Sequence, residues 1–352
     1  MMALRNQLRR TRRSTALAAL VVALPFALTA CGDDDDSGGG GEGGEKSGGD
    51  VTLQLAHSYT EDQPQHRCGA QVIADKVADA DVGLTVEIFP ASQLGADADR
   101  ISSVVSGDID MDIQGASALG AVYEPVAVLD AVYAFDDGDH LARYFDSDAA
   151  EELLTGFEDK TGVHTLGAWS AGMREFTANK PIREPGDLEG LRMRFPNSPQ
   201  FLMNAKALGA DATEVAYEEL FLALQQGTVD GQENPITNIV ASNLQEVQDY
   251  ISMSNHQANS NLVIIGADAW TDLSEEQQGA LEEAIDAAEE QVPQCVADDE
   301  ESTLAEWAES GDMEVVDDVD VEAFRSQADA YLRDNFNDEQ LAVYEGIRGE
   351  AG

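Results

Sequence analysis

The sequence predicts an α/β protein. Short apolar runs of strand length alternate with amphipathic stretches of helical period from Val51 onward. A length of 352 residues suits two domains of ordinary size. An apolar content of 43% is that of a folded chain and excludes wholesale disorder.

Residues 1–30 predict a secretory signal. Arg5, Arg9, Arg10, Arg12 and Arg13 form a positive start. The apolar run that follows, 16–30, is shorter than the roughly 20 residues a spanning helix needs. It ends in Leu28-Thr29-Ala30-Cys31, which resembles a bacterial lipobox, where cleavage precedes a lipidated Cys. Residues 32–50, GDDDDSGGGGEGGEKSGGD, consist mostly of Gly, Ser and like charges, which build no core, so a flexible tether is expected. The folded part is thus expected outside the cytoplasmic membrane, periplasmic or at the cell surface, held to it by lipid alone.

Strands are predicted at VTLQLAH (51–57), LTVEIFP (84–90), IDMDIQG (109–115), VHTLGAW (163–169), FTAN (176–179), LRMRF (191–195), VDGQEN (229–234) and within 251–265. Helical spacing covers 63–80, 141–161, 198–208, 217–227, 321–336 and 338–348. The stretch 271–313 is almost all helical, and Ser274 with Gln277 gives it a capping-box start. Pro293 is expected to kink or break it.

Charge narrows the function. Acidic residues outnumber basic ones 68 to 20, a net of −48, which argues against nucleic acid and against docking on anionic lipid through a basic face. No G-x-S-x-G, HExxH or Gly-rich phosphate loop is present, and His57, His66, His140, His164 and His256 show no ligand spacing. We therefore expect binding without catalysis, no cofactor and no metal. If Cys31 carries lipid, Cys68 and Cys295 remain as an even pair in an oxidising compartment. A disulfide is expected, with two free buried thiols as the alternative.

The positive charge is unevenly placed. Five of the twenty basic residues fall in the leader; of the other fifteen, Arg174, Lys180, Arg183, Arg192, Arg194 and Lys206 lie within 33 residues. They either pair with Glu175, Glu184, Asp187 and Glu189 on the surface, or in part line a cleft that holds an anion. In LRMRF, alternation turns Arg192 and Arg194 away from Leu191, Met193 and Phe195. Arginine suits a carboxylate because its planar fork makes two parallel hydrogen bonds.

Two long segments, GMREFTANKPIREPGDLEGLRMRFPNSP (172–199) and ALGADATEVAYEELFLALQQGTVDGQENP (207–235), resemble the DctP-type substrate-binding proteins of tripartite ATP-independent periplasmic (TRAP) transporters. FPASQLGAD (89–97), GDIDMD (107–112) and SMSNH (252–256) add to the match, which covers about 51–340. The resemblance implies a two-lobed, type II periplasmic-binding-protein-like clamp with crossing hinge strands and a long helix spanning both lobes. Lobe I would comprise 51–171 plus 260–300, and lobe II 172–259 plus 301–352.

The same resemblance implies a monomer that captures a small organic acid between the lobes and delivers it to TRAP permease subunits. A solute-binding lipoprotein of an ATP-driven importer or a ligand-sensing lipoprotein is the alternative, and a periplasmic enzyme ranks last. Arg194 takes the signature position for the ligand carboxylate, the alternative being a structural salt bridge. Arg174 is the second family arginine or an interlobe ion pair, and Asn234 a cleft amide or the holder of the Pro235 turn. Tyr217 is an aromatic against the ligand or core, Trp169 a cleft wall or packing, and His57 a cleft residue or a structural histidine. Glu233-Asn234 replaces the Trp-Glu through which some relatives hold a metal, and Gly115 and Ala116 replace the acid several sugar-acid binders use, so sialic acid is not the expected ligand.

Overall fold

The computed structural model describes residues 49–351. The signal, Cys31 and nearly all of the tether lie outside the described residues. Nine strands occur among them: β1 Val51–His57, β2 Leu84–Phe89, β3 Met111–Gly115, β4 Val163–Ala178, β5 Arg192–Phe195, β6 Asp211–Glu214, β7 Gly231–Pro235, β8 Tyr250–Gly266 and β9 Glu314–Val316. They make one mixed sheet in the order β2-β1-β3-β8-β4-β7-β5-β6, with β9 on β8. Parallel strands with intervening helices flank β1 on one side and β5 on the other. The antiparallel pair β4 and β8, 16 and 17 residues long, crosses from one group to the other. The result is a two-lobed clamp on crossing hinge strands.

β4 unites the two predicted strands 163–169 and 176–179. Register shifts at Thr165/Gly167, Ser170/Met173 and Arg174/Phe176 interrupt its pairing with β8. Each shift spoils the period of two, so the middle of the strand does not read as one. Gly172, at φ 98°, occupies the second shift; a Cβ there would also meet Val296 at 3.1 Å. The predicted helix 141–161 is two, Gly138–Phe145 and Asp148–Thr161, because the Ser147 side chain accepts from the Ala150 N–H and starts a second helix. Asp97–Ser106 is a helix the pattern did not reveal; Ala96 caps it without a side-chain bond.

The helix Glu275–Ser310 runs 36 residues with Pro293 inside it, so the expected break does not occur. Its capping box, Ser274 with Gln277, is formed. At 1.5 Å per residue such a helix reaches roughly 54 Å. Leu281, Ile285, Ala288, Val292 and Val296 share a core with β1, β2 and β3. Trp307 packs instead with Leu220, Ile236 and Ile251, in the core beside β7. The helix therefore spans both lobes. Cys68 and Cys295 form a disulfide that joins it to the helical segment after β1.

The edge strands β2 and β6 are seven strand spacings apart, about 34 Å in a flat sheet. Yet Ser92, after β2, donates to Glu218, after β6, at 3.0 Å. The sheet is thus folded over at β4 and β8, and the clamp is closed.

Candidate functional site: the interlobe cleft

Between the lobes lies a cleft of about 310 Å³. β4 brings Arg174 to it from the hinge. Because β4 lies between β7 and β8, Arg174 reaches both neighbours. Its Nε and Nη2 donate to the Glu233 carboxylate, Nη2 also to the Glu233 carbonyl at 2.8 Å and to Asn234 Oδ1 at 3.1 Å. Nη1 donates to Asn259 Oδ1 at 2.7 Å, and the guanidinium stands 4.9 Å over the Phe201 ring. Although burial opposes ionisation, Arg174 and His256 hold the Glu233 carboxyl below its ordinary range. Arg174 is thus an electrically compensated part of the wall.

Arg194 differs. Met193 and Phe195 are fully buried in the core, while Arg194, on the other face of β5, lines the cleft. Nε donates to the Val215 carbonyl at 2.9 Å, and Nη1 is buried with no partner. Burial lowers its pKa to about 10, so it stays cationic at neutral pH. An uncompensated buried guanidinium is costly, and an anion in the cleft would relieve that cost.

The other two arginines of the run follow the surface reading. Arg192 pairs with Asp230 at 2.6 Å and Arg183 with Asp318 at 2.7 Å, both at the surface. Their partners, like Glu233, are distant in sequence and not the neighbouring acids proposed above.

Asn234 lines the cleft; its Nδ2 donates to Gln232 Oε1 at 2.5 Å while Oδ1 accepts from Arg174. Tyr217 borders the cleft with its ring, because its hydroxyl donates to the Asn238 carbonyl and accepts from Ser242 Oγ at 2.9 Å. Trp169 does not line it. The indole is 2% exposed, in the core with Cys68 and Val292, where Gly69 makes room for it. His57 also falls outside. Burial lowers its pKa to about 3, and its Nδ1 accepts from the Tyr59 N–H while Nε2 faces His66 Nδ1 at 3.2 Å. That pattern fixes a neutral tautomer. Among the described residues no group of three or more His, Cys, Asp and Glu could hold a metal ion.

The sequence reading missed Tyr59, Asn259 and Asn261, which line the cleft. Tyr59 lies two residues past the end of β1, and its hydroxyl accepts from Asn261 Nδ2 at 2.7 Å. Asn261 Oδ1 is buried with no partner. The available signal was the polar run Asn259-Ser260-Asn261 immediately before the apolar residues Leu262, Val263, Ile264 and Ile265 of the same strand.

Comparison with known proteins agrees with this architecture. Residues 55–339 match the DctP model, described as bacterial extracellular solute-binding protein, family 7. A solute-binding protein of Roseobacter denitrificans is 32% identical over 305 residues, covering 86% of this chain and 92% of that one. A TRAP periplasmic solute-binding protein from Polaromonas, bound to D-erythronate, superposes with a TM-score of 0.79 at 28% identity, covering 85% of this chain and 98% of that one. Another from Shewanella oneidensis, with bound succinate, gives 0.79 at 25% identity, covering 86% and 99%. With the family model matching most of its length, the chain belongs to the DctP family of bacterial extracellular solute-binding proteins.

Proposed function

We propose that this chain captures a small organic acid by its carboxylate in the interlobe cleft, delivers it to a TRAP permease and catalyses no reaction. One observation carries the reading: Arg194 is buried in the cleft wall with Nη1 unpartnered. A carboxylate supplies the charge and the two acceptors that a guanidinium fork lacks there. Asn234 and Arg174 shape the adjoining wall, and the Tyr217 ring closes a side of it.

Lobe I, 51–171 with 260–300, and lobe II, 172–259 with 301–352, would part in the free protein. The acid binds the closed form better and shifts the population toward it, and the closed form docks on the permease. The chain acts as a monomer. Lipid on Cys31, after removal of residues 1–30, would hold it at the outer face of the cytoplasmic membrane on its acidic tether. The Cys68–Cys295 pair belongs to the same exported setting.

Isothermal titration of the protein and Arg194→Lys against a panel of organic acids tests the reading. A point charge cannot replace the fork. The variant should bind the best acid at least tenfold more weakly. Equal affinity would mean that the carboxylate does not sit on Arg194.

A further inference from the structure

The cleft has one uncommitted cation. Arg174 lines it, but Glu233 neutralises it and its donors are engaged. Arg194 alone of the two has a buried N–H group without an acceptor. The remaining charged side chains of the lining are acids. Asp97 accepts from Arg100 Nη2 at 2.9 Å, Glu218 from Ser92 Oγ at 3.0 Å and Asp130 from Ser260 Oγ at 2.6 Å. A second carboxylate on the ligand would meet no free cation and would face these like charges.

The uncharged lining asks for a different group. Asn261 Oδ1 is a buried acceptor without a donor. The adjoining Tyr59 hydroxyl accepts from Asn261 Nδ2 at 2.7 Å, which leaves its own proton to give. A neighbouring donor and acceptor of this kind are both satisfied by an alcohol, which accepts from Tyr59 and donates to Asn261. A carboxylate only accepts and leaves Asn261 Oδ1 unpaired; a methylene leaves both unpaired.

Resting on the carboxylate reading above, we propose that the ligand is a polyhydroxylated acid with a single carboxylate, of the aldonate type, with its carboxylate on Arg194 and a hydroxyl between Tyr59 and Asn261, and that the cleft discriminates against dicarboxylates. A site built around hydrogen bonds to a hydroxyl rejects analogues that lack it far more strongly than an apolar pocket rejects a missing methylene.

The test is calorimetric titration of the full folded chain with D-gluconate, D-erythronate, succinate and butanoate. At least one hydroxylated acid should bind tenfold or more tightly than both succinate and butanoate. If succinate equals or exceeds them, this inference is overturned and the carboxylate reading stands. If none of the four binds, the carboxylate reading falls and this one with it. Tyr59→Phe removes only the hydroxyl. It should weaken the hydroxylated acid about tenfold and leave succinate and butanoate within threefold of the parent. A loss of the same factor for every acid that binds would overturn the assignment of the hydroxyl to this pair.

Discussion

Glu233 is fully buried between Arg174 and His256, so replacing it strands a cation in the hinge. Glu233→Gln should cost about 3–5 kcal/mol of stability, as breaking one side of a buried pair does; urea unfolding measures it. Other buried groups set the pH response. Burial raises Glu175 to about 8, and it also raises Glu289 and Glu300 to about 7. In the folded chain Glu175 keeps its proton up to that pH, whereas the unfolded chain loses it near 4.5. The folded state binds the extra proton across this window, so stability falls as pH rises through it. His57 works from the other side: the unfolded chain takes up a proton below 6.5 that the folded chain refuses until about 3, so stability also falls on acidification. Melting curves at pH 6 and 8.5 should show a drop that Glu175→Gln makes smaller; an unchanged drop would remove Glu175 from the account. At this scale the sequence marked Arg194 and Asn234 through flanking motifs. It could not show that Arg174 is neutralised or that His57 and Trp169 face the core, because each depends on partners far along the chain.

Among the elements, the helix Glu275–Ser310 was readable from its Ser274–Gln277 cap and its length. Ser274→Ala removes the bond to the Gln277 N–H and should cost about 1 kcal/mol, read as a shift in urea midpoint at unchanged slope. Its continuity through Pro293 was not readable, since the packing of Val292 and Val296 in the lobe core offsets the lost backbone bond. β4 shows the opposite failure. Its bulges erase the alternation by which strands are recognised, yet one of them sets Arg174 between β7 and β8. Gly172→Ala tests this element: a methyl at φ 98° and 3.1 Å from Val296 should lower the melting temperature and weaken ligand binding together, because hinge and helix meet there. A drop in stability with affinity intact would separate the bulge from the cleft.

For the molecule as a whole, alternating strands and helices indicated the fold class, but the crossing of β4 and β8 came only with the family resemblance. Pairings between residues some 70 to 100 positions apart leave no local trace. The net charge of −48 has its own consequence. Like charges repel within the compact state and salt screens them, so raising KCl from about 0.1 to 1 M should raise the melting temperature; a lower value would discount self-repulsion. The disulfide gives the last consequence. It rivets the long helix to the β1–β3 side at Cys295, while Trp307 bears on the opposite body. The turns from Cys295 to Ser310 then form an outrigger with a fixed root, and the proposed opening of the jaws would flex that arm instead of sliding the whole rod. Reducing the bond frees the root, so the apparent affinity for ligand should change even at temperatures where the chain stays folded.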